Sequence, residues 1–192
     1  MNSPSKVFEN RVFKNAVYLR RDLSYREFTK CSFKKCDFTE SKFSGSSFID
    51  CVFADCNLSN VKIAGCSFQN VKFEGCKIIG VAFSALKTLL IDWEFTSCKI
   101  ELCDFSNLKM RETKFTNCEI HNTDFLNLDL TEADFSASDL HGSRFQNAIL
   151  TKADFATALN YSINPSENKI KQAKFSYPEI LGLLNEFEIV VE

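Results

Sequence analysis

The sequence contains only two histidines, His121 and His141, and they stand 20 residues apart. Imidazole suits both metal binding and proton transfer near neutral pH. A stable zinc site needs at least three protein ligands, however, and the sequence has no third histidine to join this pair. The pair alone therefore predicts neither a metal site nor a general base. A catalytic or metal-binding role for these two histidines is therefore the least favoured of the functions that the sequence suggests.

The nine cysteines all occupy one kind of sequence position, two residues before a large apolar residue, as in Cys31-Ser32-Phe33. No CxxC pair occurs, so a thiolate metal centre is not predicted. The odd count, together with an N-terminus that lacks the apolar stretch of a secretory signal, favours reduced thiols and a cytoplasmic location. We expect the cysteines to act as small buried apolar groups.

Motifs for catalysis are missing from the sequence. It has no nucleophile–base signature, no glycine-rich phosphate loop and no HExxH zinc motif. The sequence therefore predicts a non-catalytic protein without a cofactor. No apolar run approaches the ~18–20 residues that are needed to span a bilayer, so no membrane role is predicted.

Charged side chains carry the strongest functional signal. Residues 1–83 contain 13 Lys/Arg and 8 Asp/Glu, a balance of +5, whereas residues 84–192 contain 10 and 17, a balance of −7. The residue before each large apolar position is acidic five times in succession, from Glu119 to Asp139. We call the following residues the acidic belt: Asp104, Glu119, Asp124, Asp129, Asp134, Asp139 and Asp154. Two interpretations of these residues are open. They bind a partner, or aspartate is frequent here only because it suits the turns of this chain.

A five-residue repeat positions all of these side chains. Every fifth residue is apolar from Phe8 to Phe83 and, after a shift of two residues, from Leu90 to Phe155. These 30 positions contain 18 of the 20 phenylalanines. The residue two before each of them is usually small, so both should point inward as alternate residues of a short extended segment.

A period of five matches neither an α-helix nor a regular strand. It is typical of an extended segment followed by a turn, repeated so that the chain winds into stacked coils. Stacking would place each phenylalanine against the phenylalanine of the next coil. The sequence therefore predicts an all-β rod over residues 1–163 whose interior is filled by rings.

Segments such as Cys31-Ser32-Phe33-Lys34-Lys35 and Ala133-Asp134-Phe135-Ser136-Ala137 closely resemble the pentapeptide repeat family. The resemblance covers residues 6–157 and implies a right-handed quadrilateral β-helix with four repeats per coil. On that count, the repeats make about seven and a half coils, and the rod is roughly 35 Å long at strand spacing. Residues 20 apart would then stack, which pairs Asp104 with Asp124, Glu119 with Asp139, and Asp134 with Asp154.

The two-residue shift lies within residues 84–94, where Trp93 falls in a small-residue position that it should not fit without distortion. We expect a bulge or short loop here. Two interpretations of this bulge are open. It is an insertion that the fold tolerates, or it contacts a partner through exposed apolar side chains. The candidate residues are Leu86, Leu89, Ile91 and Trp93.

Residues 164–192 depart from the repeat and should form a turn, a short capping helix and a tail. Asn164-Pro165 predicts the turn, and Ser176 can cap a helix that runs to about Phe187. The open end of a β-helix exposes rings and unpaired backbone, so this segment should cover it. In similar proteins it also joins two rods end to end, which implies a homodimer. The cap and dimer candidates are Ile180, Leu181, Leu183, Leu184, Phe187, Ile189, Val190 and Val191.

The family resemblance also implies a function. Members that confer quinolone resistance bind type II topoisomerases as DNA mimics, so a first hypothesis is that the acidic belt binds DNA gyrase or topoisomerase IV. A second is a scaffold or adaptor for an unrelated bacterial protein. Direct nucleic-acid binding by the basic half is a further possibility, but we favour the interpretation that these basic side chains are simply solvated at the end of the rod. The residues concerned are Arg11, Lys14, Arg20, Arg21 and Arg26.

Overall fold

A computed structural model describes residues 6–87, 91–187 and 189–190. The chain forms a right-handed, four-sided β-helix, as the family resemblance implies. Its short strands are β1 (Lys6–Glu9), β2 (Val12–Lys14), β3 (Arg26–Thr29), β4 (Ser32–Lys34), β5 (Ser47–Ile49), β6 (Val52–Ala54), β7 (Ser67–Gln69), β8 (Val71–Glu74), β9 (Lys77–Ile79), β10 (Trp93–Thr96), β11 (Lys99–Glu101), β12 (Lys114–Thr116), β13 (Glu119–His121), β14 (Asp124–Leu126) and β15 (Arg144–Gln146). Three 3₁₀ helices span Phe83–Ala85, Glu179–Leu183 and Asn185–Phe187.

The strands stack in parallel sheets whose order follows the winding of the chain. The sheets run β1-β3-β5-β7, β12-β10-β8-β6-β4-β2, β13-β11-β9 and β14-β15. Partners are 20 residues apart, as in Phe33↔Phe53, with two exceptions. Across the two-residue shift Phe73 pairs with Phe95, and near the C-terminal end Phe145 pairs with Ile163, 18 residues later. One coil is therefore four repeats of five residues, and side chains at a given position form columns along the rod.

One interior column consists entirely of phenylalanine. Its members are Phe13, Phe33, Phe53, Phe73, Phe95, Phe115, Phe135, Phe155 and Phe175. Successive rings are nearly parallel, and their centroids lie between 4.7 and 5.5 Å apart. Rings of neighbouring columns meet edge to face, as Phe105 and Phe115 do at 5.8 Å. Both arrangements are favoured by the ring quadrupole, at roughly 0.5–1.5 kcal/mol per pair beyond burial.

The small inward side chains also bond the coils together. The Ser138 hydroxyl donates to the carbonyl of Phe115 at 2.7 Å and accepts from the Cys118 amide at 2.9 Å. The Cys118 thiol lies 3.5 Å from the Phe95 carbonyl in the equivalent place one coil earlier. All nine cysteines are free and buried, as expected, and their thiols add hydrogen bonds that the apolar interpretation missed. These contacts satisfy backbone groups that face the rod interior.

Each corner of the coil depends on a left-handed residue two positions after the large apolar one. Among the described residues, positive φ occurs at 24 non-glycine residues and five glycines, nearly all at such corners, and ten of the 24 are asparagine. Asparagine and glycine tolerate this region better than other residues, which strain the backbone by about 1–2 kcal/mol. The frequent asparagine of the sequence is thus a corner signal.

The two-residue shift is absorbed without exposing Trp93. This residue begins β10, pairs with Val71, and is only 1% exposed. Its indole Nε1 donates to the Phe68 carbonyl at 3.1 Å. The expected distortion is present, because the register changes here from 20 to 22 residues, and the indole then fits inside the coil. Leu86 and Ile91 pack half-buried against the core, and Leu89 lies outside the described residues.

Coil pairing continues beyond residue 163, since Asp154 pairs with Lys174 and Phe175 stacks on Phe155. The expected capping helix is instead two short 3₁₀ helices. Ser176 does not cap a helix; its hydroxyl donates to the carbonyl of Ala156 in the preceding coil. The Ile163 amide donates to the Gly182 carbonyl at 3.2 Å, which holds the first of these helices against the last coil. Val191 lies outside the described residues.

Replacing Phe115 by alanine should destabilise the whole rod. The ring is fully buried and stacks on Phe95 and Phe135, so its removal leaves a cavity inside the column. We expect the free energy of unfolding in urea to fall by about 3–5 kcal/mol. The control Thr116→Ala, on the outer side of the same strand, should change it by less than about 0.5 kcal/mol. Equal losses for the two variants would contradict the stacking account.

Candidate partner-binding surface

The acidic belt lies on the outside of the coil, as the repeat predicts. Its members precede the inward apolar residues on all four sides of the rod. The expected stacked pairs are present, since Asp104 pairs in register with Asp124, Glu119 with Asp139, and Asp134 with Asp154. The backbones that carry these carboxylates therefore lie one strand spacing apart in adjacent coils, which is about 4.8 Å.

Several belt carboxylates take part in local turns. The Asp104 carboxylate accepts from the Ser106 amide at 2.9 Å, and Asp129 accepts from the Thr131 amide at 3.0 Å. Asp134 accepts from the amide of Ser136 in the same way. An aspartate that bonds the amide two residues later stabilises a turn. The turn interpretation of the aspartates thus has direct support, and it leaves the charge itself available to a partner.

Basic residues on adjacent coils pair with part of the belt. The Arg144 guanidinium binds both carboxylate oxygens of Asp124, at 2.7 and 2.8 Å. Lys174 lies 2.8 Å from Asp154, and Arg111 lies 3.8 Å from Asp129. Asp104, Glu119 and Asp134 form no ion pair within the described chain. Sequence reasoning missed the cations, although the same 20-residue spacing that stacks the carboxylates would have found Arg144 and Lys174.

The two histidines meet at the belt, as their spacing predicts. Their ring centroids are 6.0 Å apart and the rings are nearly perpendicular. The Nε2 atom of His121 lies 3.4 Å from a carboxylate oxygen of Asp139, whose other oxygen accepts from the His141 amide at 3.1 Å. The described residues contain no group of three His, Cys, Asp or Glu side chains that could hold a metal ion.

Burial makes two of the thiols, Cys66 and Cys103, poorly suited to nucleophilic chemistry. Burial raises the pKa of Cys66 to about 12 and that of Cys103 to about 11, so both stay protonated at neutral pH. A small interior cavity of about 10 Å³ lies where Leu58, Ile63 and Ile78 take the places of phenylalanines. A void of that size holds about one water molecule, not a substrate.

The surface along the belt is shallow rather than pocketed. A groove of about 430 Å³ runs past Leu102, Asp104, Asn122 and Asp124, at the corner where Arg144 lies. Such an open groove fits an extended macromolecular surface better than a small molecule, which prefers an enclosed cleft. Within the described residues, no helix is long and apolar enough to cross a membrane.

The basic residues of the N-terminal half lie in different environments, which their charge count does not show. Arg20 binds Glu40 at 2.8 Å, whereas Arg11, Lys14 and Arg21 have no ion pair among the described residues. Arg26 occupies an inward position and is only half-exposed. The five residues considered for nucleic-acid binding thus do not form one free surface.

Replacing Lys174 by methionine should raise the pKa of Asp154, because the ammonium group of Lys174 is the main cause of its depression. A carboxyl group with a depressed pKa stabilises the fold above its unfolded pKa of ~3.9, and this contribution is lost as pH falls through the folded pKa. The variant should therefore lose less stability than the parent between about pH 5 and pH 2. An NMR titration of Asp154 and urea unfolding across that range would measure both effects. Lys171→Met is the control, and an unchanged Asp154 titration would contradict the pairing.

Comparison with known proteins places the chain in a family. A family model described as a pentapeptide repeat region matches residues 26–101 and 87–155. No curated protein sequence matches the chain.

Solved structures show the same fold. A trypsin-treated variant of QnrB1, a plasmid-mediated fluoroquinolone resistance protein, matches with a TM-score of 0.81 and 15% identity, over 98% of each chain. HetL, a pentapeptide repeat protein involved in heterocyst differentiation regulation from the cyanobacterium Nostoc sp. strain PCC 7120, matches with a TM-score of 0.69 and 17% identity. That match covers 91% of this chain and 87% of HetL. The repeat, the four-sided coil and the family match together establish that the chain belongs to the pentapeptide repeat family.

Proposed function

We propose that this protein is a non-catalytic DNA mimic that binds a type II topoisomerase, DNA gyrase or topoisomerase IV, in the cytoplasm. Binding would modulate the enzyme or protect it from quinolones or toxins. The observation that carries the proposal is the set of belt carboxylates stacked at coil spacing on the outside of a thin rod. Duplex DNA likewise presents regularly spaced negative charge along a rod.

The unpaired part of the belt is the most suitable contact surface. Asp104, Glu119 and Asp134 form no ion pair among the described residues, so basic side chains of a DNA-binding saddle could pair with them. The similarity in fold to a fluoroquinolone resistance protein supports the same type of partner.

Neutralising the belt should weaken gyrase binding while the fold survives. The test variant carries Asp124→Asn, Asp129→Asn, Asp134→Asn and Asp139→Asn. Asparagine keeps the side-chain oxygen that accepts the turn hydrogen bonds of residues 129, 134 and 139, so only the charge is lost. We expect binding to immobilised gyrase to weaken by about tenfold or more, with a shallower salt dependence, because rim charges act mainly by long-range attraction.

The matched control replaces four aspartates of the basic half: Asp22→Asn, Asp37→Asn, Asp50→Asn and Asp55→Asn. Asp22 and Asp37 accept the same kind of turn hydrogen bond, from the Ser24 and Thr39 amides. Gyrase binding should be unchanged in this control. Equal binding by the belt variant and the parent would contradict the proposal.

The proposal includes a homodimer through the C-terminal end, which would bring the acidic halves of two rods together. Ile180, Phe187 and Ile189 are 40%, 47% and 55% exposed at this end, although they are large and apolar. Burial of such residues in a symmetric interface would stabilise a dimer. Leu181, Leu183 and Leu184 are half-buried beneath them and serve mainly as the cap.

Replacing Phe187 by aspartate should convert the dimer into a monomer in sedimentation velocity, because a buried unpaired carboxylate opposes association. The control Leu19→Asp changes a residue of similar exposure, 46%, at the opposite end of the rod and should leave the dimer intact. A parent protein that sediments as a monomer at all concentrations would contradict this part of the proposal.

A second candidate function is a scaffold or adaptor that binds an unrelated bacterial protein. The ion pairs of Asp124 with Arg144 and of Asp154 with Lys174 favour it, because they reduce the net charge that a DNA mimic would present. Contact through the coil shift would use Leu86 and Ile91, since Trp93 is buried. An adaptor of this kind would keep its partner when the belt is neutralised.

A further inference from the structure

Among the described residues, the first coil, residues 6–25, leaves two strand edges without a neighbouring strand. β1 and β2 are the outermost strands of their sheets, and no described coil precedes them. Their inward rings, Phe8 and Phe13, are only partly buried. An open strand edge presents unpaired N–H and C=O groups, which can pair with another extended chain.

The outer side of this coil is apolar. Val7, Val12 and Val17 are 61%, 60% and 71% exposed. The equivalent positions one coil later hold Glu27, Ser32 and Asp37, followed by Lys42. Proteins usually protect free strand edges with charged residues, so three exposed valines at an open edge mark a surface that a partner covers.

Unpaired cations surround these edges. Lys14 on β2 and Lys34 on β4 are register partners, which places two like charges one strand spacing apart. Neither lysine forms an ion pair within the described chain, and neither do Arg11, Lys30 or Lys35 at the flanking corners. Like charges directly opposite each other destabilise a sheet. The arrangement therefore favours an acidic ligand that would relieve the repulsion.

A further cation lies inside the end of the rod. Arg26 lines a cavity of about 50 Å³ together with Phe8, Phe13, Tyr18 and Leu23. Its Nε atom is buried and has no hydrogen-bond partner among the described residues. A buried donor without an acceptor is costly, and a carboxylate that reached this cavity would supply one.

We infer that the N-terminal rim, defined as residues 6–25 with Arg26 and Lys34, binds an extended acidic segment of a partner protein. The segment would add as a strand to the free edge of β1 or β2. Apolar side chains of the segment would cover the exposed valines and the half-buried rings of Phe8 and Phe13. Its carboxylates would pair with Lys14, Lys34 or Arg26. This surface is separate from the acidic belt and does not depend on the topoisomerase proposal.

A peptide explains the rim better than a nucleic acid does. Phosphates would pair with the lysines, but they would leave the valines and the open backbone edge uncovered. An added strand uses all three features, because main-chain hydrogen bonds provide affinity and alternate side chains provide specificity.

The test measures fluorescence anisotropy of a labelled ten-residue peptide of alternating glutamate and valine, titrated with the full chain. We expect binding with a Kd below about 1 mM. The variant Lys14→Glu with Lys34→Glu should weaken binding by at least about tenfold, and Arg26→Gln and Val7→Thr with Val12→Thr should also weaken it. The matched control is Lys169→Glu with Lys171→Glu, two exposed lysines at the other end of the rod, which should bind the peptide like the parent.

Three results would overturn the inference. The first is no binding of the peptide, or equal binding of a lysine–valine peptide. The second is loss of binding in the Lys169→Glu and Lys171→Glu control. The third is tighter binding of a short DNA duplex that is lost in the Lys14→Glu and Lys34→Glu variant, which would make the rim a nucleic-acid site. Circular dichroism of each variant confirms that the coil is intact.

Discussion

The 20-residue register between adjacent coils is the constraint on which the rest of the structure depends. Because four repeats complete one turn, each side chain generally lies against the side chain 20 positions later. Across the two-residue shift the separation is 22 positions. That register stacks the nine rings of the phenylalanine column, as Phe115 and Phe135 do at 5.1 Å. It also brings the Ser138 hydroxyl to the Phe115 carbonyl, and Arg144 to Asp124. Core packing, interior hydrogen bonds and surface ion pairs thus share one geometric cause.

The repeat made most of the fold predictable, because each position of the five-residue unit has a single environment. The inward phenylalanines and cysteines follow from spacing alone. The four-repeat coil came from the family resemblance, and the contact between His121 and His141 follows once that coil is assumed. Departures from the repeat were harder to predict. Trp93 fits because an insertion moved the register to 22 residues. The break in the five-residue pattern located this insertion but did not show how the indole would pack inside it. The segment after Ser176 forms 3₁₀ turns because contacts with the last coil, such as Ile163 to Gly182, outweigh its helical spacing.

The surface charges differ from their sequence-based prediction more than the fold does. The charge counts indicated an acidic half and a basic half. The coil register, however, decides which charged side chains have an oppositely charged neighbour. Arg144 and Lys174 pair with two belt carboxylates, whereas Asp104, Glu119 and Asp134 have no ion pair in the part of the chain that the structure describes. At the opposite end, Lys14 and Lys34 face each other without a counterion in the described chain. Charge of opposite sign on two separate regions of one rod suits a protein that contacts partners through more than one surface.

The central functional claim is that the rod binds a type II topoisomerase, and a DNA gyrase supercoiling assay tests it most directly. The purified full chain would be titrated into the assay with and without a fluoroquinolone. The account predicts inhibition of supercoiling, or rescue of supercoiling from the drug, at micromolar protein. No effect of either kind at a large excess over gyrase would contradict the claim for gyrase and would favour the adaptor role.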